Sequence, residues 1–256
     1  MTLLNEIAYR NKPLTYFGLL NLIGLAVLLM VSLFDDRTLL GINIWIKPIK
    51  FCISIAIFSW TMAWFLHYLP QRKKVKIITY TIIMMLLLEQ ILINSQAARG
   101  VTSHFNITTV YNAVVFQIMG IAILVNTIMV IWAFFLIGKA HSLPNGYLRG
   151  IRLGMLIFIF ASFEGYLMAA NMGHTVNAPD GQEGYLFLNW AKEYWDLRIF
   201  HFLGLHALQV IPLFAWYFSR NKVKWVNAFS LFYFIFSAGT LWNALMGRGL
   251  FQFGAG

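Results

Sequence analysis

Seven apolar runs, each long enough to cross a hydrocarbon layer as a helix, constrain this chain more than any other feature. They fall at residues 14–34, 48–69, 77–98, 111–137, 148–170, 196–218 and 223–246. A layer about 30 Å thick is spanned by about 20 helical residues. Hydrocarbon offers an unpaired backbone group no partner, so such runs have to satisfy their amides internally, as helices. The composition agrees, at 60% hydrophobic and 11% charged residues with a mean hydropathy of +0.70. A soluble domain carries about 25% charged residues. The expected fold is all-α: a polytopic membrane helix bundle of about seven transmembrane helices, forming one integral membrane domain over residues 1–256. Residues 1–13 are mildly amphipathic and are expected at the interface.

The formal net charge is +10, but the basic residues are short clusters between apolar runs. That placement orients a membrane protein and excludes nucleic acid as the partner. Arg72, Lys73, Lys74 and Lys76 separate spans two and three. Lys139, Arg149 and Arg152 separate four and five, and Arg220, Lys222 and Lys224 separate six and seven. In the alternate loops Asp35 and Asp36 offset Arg37, and the fifth loop holds Asp180, Glu183 and Glu193. The positive-inside rule then places the N-terminus in the cytoplasm and the C-terminus on the exoplasmic side. No cleavable signal pattern precedes the first span, which is expected to act as a retained anchor. The expected setting is multi-pass, in a bacterial cytoplasmic (inner) membrane. Cys52 is the single cysteine; it excludes an internal disulfide or a Cys-x-x-Cys redox pair and reads as a packed apolar residue.

The sixth run departs from an ordinary span, because it carries Arg198, His201, His206 and Gln209. At about 100° per residue, and with Arg198 at zero, His201 falls near about −60°, Gln209 near about +20° and His206 near about +80°. An arc of ionisable groups costs about 2.5 kcal/mol or more per group against lipid, so it has to meet protein, ligand or water. The expected orientation gathers other polar residues in the same leaflet. Glu89, Gln90, Asn94 and Gln96 lie in the outer half of span three, which ends at Arg99, and Asn112 and Gln117 open span four. Glu164 lies near the outer end of span five, and Asn243 and Arg248 near the end of span seven. Lys47, Lys50, His104 and His174 form an outer rim. The amides read most simply as interhelical glue, as do Asn21, Asn126 and Asn227 in the inner halves. Glu89 and Glu164 have to be protonated, paired or bound to metal, and such intramembrane acids read as functional. His67 and His141 are expected to be solvated.

These residues point to an exoplasmic-side polar cavity in which Glu89, Glu164, His201 and His206 converge, with Arg99 and Arg198 at its mouth. Two chemistries fit. Histidine and carboxylate are ligands for zinc or iron, and His201, His206, Glu89, Glu164, His104 and His174 supply donors. Their purpose would be a redox or hydrolytic reaction, with Glu89 and Glu164 as catalytic acids. His201 and His206 stand five apart and diverge on a helix, so sharing one ion would need a bulge at Gly204. One histidine on a haem fits better, with Phe202, Trp216, Phe232, Phe234 and Phe236 as apolar walls and Arg198, Arg99, Lys47, Lys50 or Arg248 on the propionates. The alternative is a non-enzymatic binder, receptor or transporter of an anionic small molecule or lipid, using the same cations. The loop 171–195 is a candidate lid, with a turn at its Asn-Ala-Pro-Asp-Gly run and a short interfacial helix expected over 185–195.

The His201-x-x-x-x-His206 pair resembles that of rhomboid proteases, but the Gly-x-Ser-Gly nucleophile motif is missing. Beyond Lys224 at its start, span seven has neither a lysine for a retinal Schiff base nor a histidine pair of the kind seven-helix zinc hydrolases use. The residues therefore assign no family.

The expected topology is tested by single cysteines placed near Lys74 and near Gly181 in a Cys52→Ala background. An impermeant thiol reagent should label the Gly181 site from outside and the Lys74 site only after permeabilisation. External labelling of the Lys74 site would overturn the depth assigned to every polar residue above.

Overall fold

The computed structural model describes residues 2–138, 140, 143–176, 179–181, 184–185, 187–192 and 196–246. Lys139, His141, Glu183, Glu193 and Arg248 lie outside them. Among the described residues, seven helices are long and apolar enough to cross a membrane. They are α2 (Lys12–Ser32), α3 (Ile46–Leu66), α4 (Arg72–Ala98), α5 (Val110–Ile137), α6 (Asn145–Asn171), α7 (Leu197–Phe218) and α8 (Val223–Leu245), preceded by the short helix α1 (Leu3–Arg10). The chain is a multi-pass integral membrane protein. Residues such as Met84, Ile121, Leu213 and Phe232 are exposed along these helices, where lipid takes the place of water.

The segment expected at the interface is a helix of its own. Thr2 caps α1, its hydroxyl accepting from Asn5 N at 3.4 Å. Asn11 then ends α1 and caps α2, its side-chain oxygen accepting from Leu14 N at 3.3 Å. Pro13, in the first turn of α2, lacks the amide that would be unpaired there anyway. Asn11 Nδ2 also donates to Thr79 Oγ1 on α4 at 2.8 Å. Arg10 lies over the Trp64 ring at 3.7 Å and pairs with Glu6 at 2.8 Å. His67, expected to be solvated, is half-buried beside Tyr9 and Tyr68.

The contacts divide the chain into two compact units, Met1–Ser142 and Leu143–Gly256. In the first, Trp60 lies against the bare Cα of Gly18 and donates from Nε1 to Thr15 O at 3.2 Å. Cys52 is buried with Leu28, Trp45 and Ile49. Between α2 and α3, β1 (Thr38–Leu39) and β2 (Ile42–Asn43) form a hairpin. Leu40 and Gly41 both turn it with positive φ, 51° and 78°, as a two-residue hairpin turn requires. Asp35 holds the base of this hairpin. It accepts from Arg37 Nε and Trp45 Nε1, each at 2.9 Å, and the Arg37 guanidinium, followed by Trp45, keeps its carboxyl well below the usual carboxylate range.

The second unit is built on close approach of α6 and α7. Gly146, Gly150 and Gly154 recur every four residues on α6. A Cβ on Gly150 would come within 2.6 Å of Ala215 Cβ, and one on Gly154 within 2.7 Å of Ala207 O. From α7, Gly204 meets Ala161 in the same way. Small residues on both sides let the backbones touch, which is how membrane helices associate where burial from water supplies no drive. α7 stays helical through Gly204, and α8 joins through Tyr233, whose hydroxyl donates to Leu203 O at 2.6 Å. The buried face of α7 is its apolar one, with Leu197, Phe200, Gly204, Ala207, Ile211 and Ala215. The polar arc is only half-buried.

Gly154→Leu should therefore lower stability by about 1–3 kcal/mol or more, the cost of overpacking a filled contact. Gly120→Ala, where a Cβ meets nothing within 4 Å, should leave it no lower, since alanine favours a helix interior over glycine. Thermal unfolding in detergent distinguishes them; equal midpoints would contradict the packing described.

Candidate functional site

The sequence-predicted residues fall into two acid–imidazole pairs, one in each unit. In the first unit Glu89 is fully buried, at 0% exposure. Its Oε1 lies 3.5 Å from His104 Nε2, and neither carboxyl oxygen has a hydrogen bond from a described residue. His104 comes from the connection between α4 and α5. Its Nδ1 lies 3.0 Å from Lys47 Nζ on α3 and 3.0 Å from Ser103 Oγ. An ammonium beside that ring works against a second cation bound to it. Phe51, Phe105 and Phe116 surround the imidazole.

The amides near this pair act largely as interhelical glue. Gln90 donates to Asn94 Oδ1 at 2.7 Å, and Gln96 to Asn112 Oδ1 at 3.1 Å across to α5. Arg99 joins them, donating to Asn112 Oδ1 at 2.9 Å and lying over the Tyr111 ring at 4.5 Å. Gln117 is exposed and outside the network. Of the inner asparagines, Asn227 accepts from Arg149 between α8 and α6 at 2.8 Å, whereas Asn21 bonds within its own helix.

In the second unit Glu164 on α6 meets His201 on α7. His201 Nδ1 is 3.1 Å from Glu164 Oε2 and 3.0 Å from Ala161 O. A carbonyl oxygen only accepts, so Nδ1 carries the ring proton. Nε2 is then the basic nitrogen, and no described residue is bonded to it. Gly165 allows this seat, since a Cβ there would stand 3.0 Å from His201 Cε1. Glu164 is buried, and its Oε1 accepts no hydrogen bond from a described residue. His201 keeps 28% of its side chain exposed. Helical geometry explains which histidine makes this contact. His201 stands at the edge of the polar arc next to the face packed on α6. His206 lies about 140° further round and packs on Phe202, with ring centroids 4.3 Å apart.

Arg198 and His174 serve the loop. Asp196 is fully buried and caps α7, accepting from Arg198 N at 3.0 Å and from Ala191 N at 3.0 Å. The Arg198 side chain pairs with Asp196 and donates to Asn189 O at 2.5 Å. His174 pairs with Asp180 at 2.5 Å. Over 185–195 the described residues form no helix. Gly184 and Ala191 instead pair as an antiparallel bridge, and Tyr185 N donates to Trp190 O at 2.8 Å. The aromatic residues expected as walls are dispersed: Trp216 packs on Tyr147, Phe234 on Phe160, and Phe232 and Phe236 are exposed. Among the described residues, no three His, Cys, Asp or Glu side chains form a set that could hold a metal ion. No family model matches the chain, and searches of the curated proteins and of the solved structures return no match.

Asp180 yields a test of the loop. Burial would raise its carboxyl, but the hydrogen bond and charge of His174 outweigh it and hold the group well below the usual range. A depressed carboxyl stabilises above its ordinary value and loses that contribution as pH falls through its folded value. The wild-type segment 171–176 should therefore resist limited proteolysis from neutral pH down to about pH 4. Asp180→Asn should be cut severalfold faster at neutral pH. Equal cutting rates would show that the pair does not hold the loop.

Proposed function

We propose that this integral membrane protein is an enzyme of a bacterial inner membrane that carries out a redox or hydrolytic reaction on the exoplasmic side. In this reading His201 is the chain's ligand to a haem or to a single zinc or iron ion. One observation carries it: Nδ1 of His201 is fixed by Ala161 O and Glu164, while Nε2 has no hydrogen bond with a described residue. A ligating histidine typically has its other ring nitrogen tied to a carboxylate or a backbone carbonyl, which fixes the tautomer and raises the basicity of the ligating nitrogen. The exoplasmic assignment rests on the loop charges.

A bound haem would supply one-electron or oxygen chemistry, and a bound ion Lewis-acid activation of water. The chain's own part is positional. Gly165 and Ala161 let the imidazole lie on α6, and Glu164 Oε2 holds the Nδ1 proton. Haem would suit the donors better than zinc, because a single histidine can hold a haem whereas a catalytic zinc takes three protein ligands. The alternative, a binder or transporter of an anionic small molecule or lipid, would draw on Arg99 and Arg198. Both guanidinium groups are already engaged, by Gln96 with Asn112 and by Asp196 with Asn189.

The test is an absorption spectrum with elemental analysis of the full chain, purified in mild detergent without chelator. A Soret band or stoichiometric metal is expected, lost in His201→Ala and bound about 10–100-fold more weakly in Glu164→Gln. A colourless, metal-free preparation that is already active or ligand-bound would contradict the proposal and favour the binder.

A further inference from the structure

The reaction proposed at His201 assigns no role to the pair in the first unit. Glu89 is fully buried and neither of its oxygens has a hydrogen bond from a described residue. A carboxylate anion without donors is costly in apolar surroundings, so this side chain needs a proton or a partner able to give one. His104 stands 3.5 Å from it, with Lys47 behind at 3.0 Å. An ammonium only donates, so with Lys47 charged the imidazole accepts at Nδ1 and turns its Nε2 proton toward Glu89. The path runs from the buried acid outward, since Glu89 is at 0% exposure whereas His104, with 23% of its side chain exposed, and Lys47, at the start of α3, are both only half-buried.

We propose that Lys47, His104 and Glu89 form a proton-exchange relay. His104 Nε2 gives its proton to Glu89 Oε1 as His104 Nδ1 takes one from the Lys47 ammonium. The imidazole ends neutral in its other tautomer, and the charged lysine–carboxylate couple becomes a neutral amine and a neutral acid. Lys47 then recovers a proton from water, so one turn loads one proton into the apolar layer, and the reverse sequence releases it. The 3.5 Å gap has to shorten for transfer, as proton-transfer contacts often do in working complexes. His104 sits in a connection, not in a helix, and its backbone is the freer to allow this.

The other charged groups nearby are accounted for. Lys50 lies one turn beyond Lys47 on α3. Arg99 and Arg37 stand at the end of α4, the first held by Gln96 and Asn112 and the second by Asp35. α5 brings no charged residue, and its one titratable group, Tyr111, lies under Arg99. On α2, Lys12 and Tyr16 lie at its start and near each other, 5.8 Å from ammonium to ring centroid.

The experiment is infrared spectroscopy of the full chain in detergent across pH 5–9, with the native-minus-Glu89→Gln difference isolating the carboxylic-acid carbonyl stretch of Glu89. The relay predicts that this band is present and titrates, and that its midpoint moves by about one pH unit, a tenfold change in proton affinity, in His104→Gln and again in Lys47→Gln. Lys47→Arg should restore part of the native midpoint. Circular dichroism and thermal unfolding identify variants that retain the fold. Three results would each overturn the relay: no acid band at any pH, a band that does not titrate, or a midpoint indifferent to His104 in a folded variant. The readout involves no haem or metal, so it stands or fails apart from the reading of His201.

Discussion

A polar group inside hydrocarbon has no water to bond, and the architecture follows from that constraint. Backbone amides answer it by forming helices. Small hydroxyls answer it locally: Thr15, Thr127, Ser162, Ser230 and Ser237 each donate to the carbonyl four residues earlier. Glycine and alanine answer it differently on α6 and α7, where bare Cα atoms bring two backbones together and leave no room for lipid. Where α2 begins, one asparagine caps the helix and bonds α4 with its two side-chain ends.

What these devices do not absorb is the chemistry. Glu89 and Glu164 keep oxygens that no described residue satisfies, and each has an imidazole as its partner. The two imidazoles are set in opposite senses. His201 gives Nδ1–H to α6 and keeps Nε2 as a base, whereas His104 lies between an ammonium and an acid. The same residue types thus stand in two different settings, one in each unit.

The sequence shows the seven spans because apolar length is a one-dimensional property. Its boundaries differ where polar residues extend a helix past the apolar layer: α4 begins at Arg72, five residues before the apolar run, because lysine and arginine are sound helix formers. The break at Asn11 and the bridge at Gly184 depend on local capping and turning that apolar periodicity does not register. Among the site residues, the polar arc of α7 is legible from the helical wheel. Which of its members meets α6 is set by the Gly204–Ala161 contact, a tertiary fact. His104 lies in a connection without periodicity, so nothing in the chain's pattern ties it to Glu89. Asp196 had a readable signal, an aspartate at the position that caps the helix.

The tautomer of His201 is the most direct test, since the proposed function depends on which nitrogen is left basic. Nitrogen NMR of the full, metal-free chain with labelled histidine, assigned by loss of one signal in His201→Ala, reads it without reference to activity. The proposed function requires a ring protonated at Nδ1, with that signal perturbed in Glu164→Gln. A ring protonated at Nε2, or one indifferent to Glu164, would contradict it.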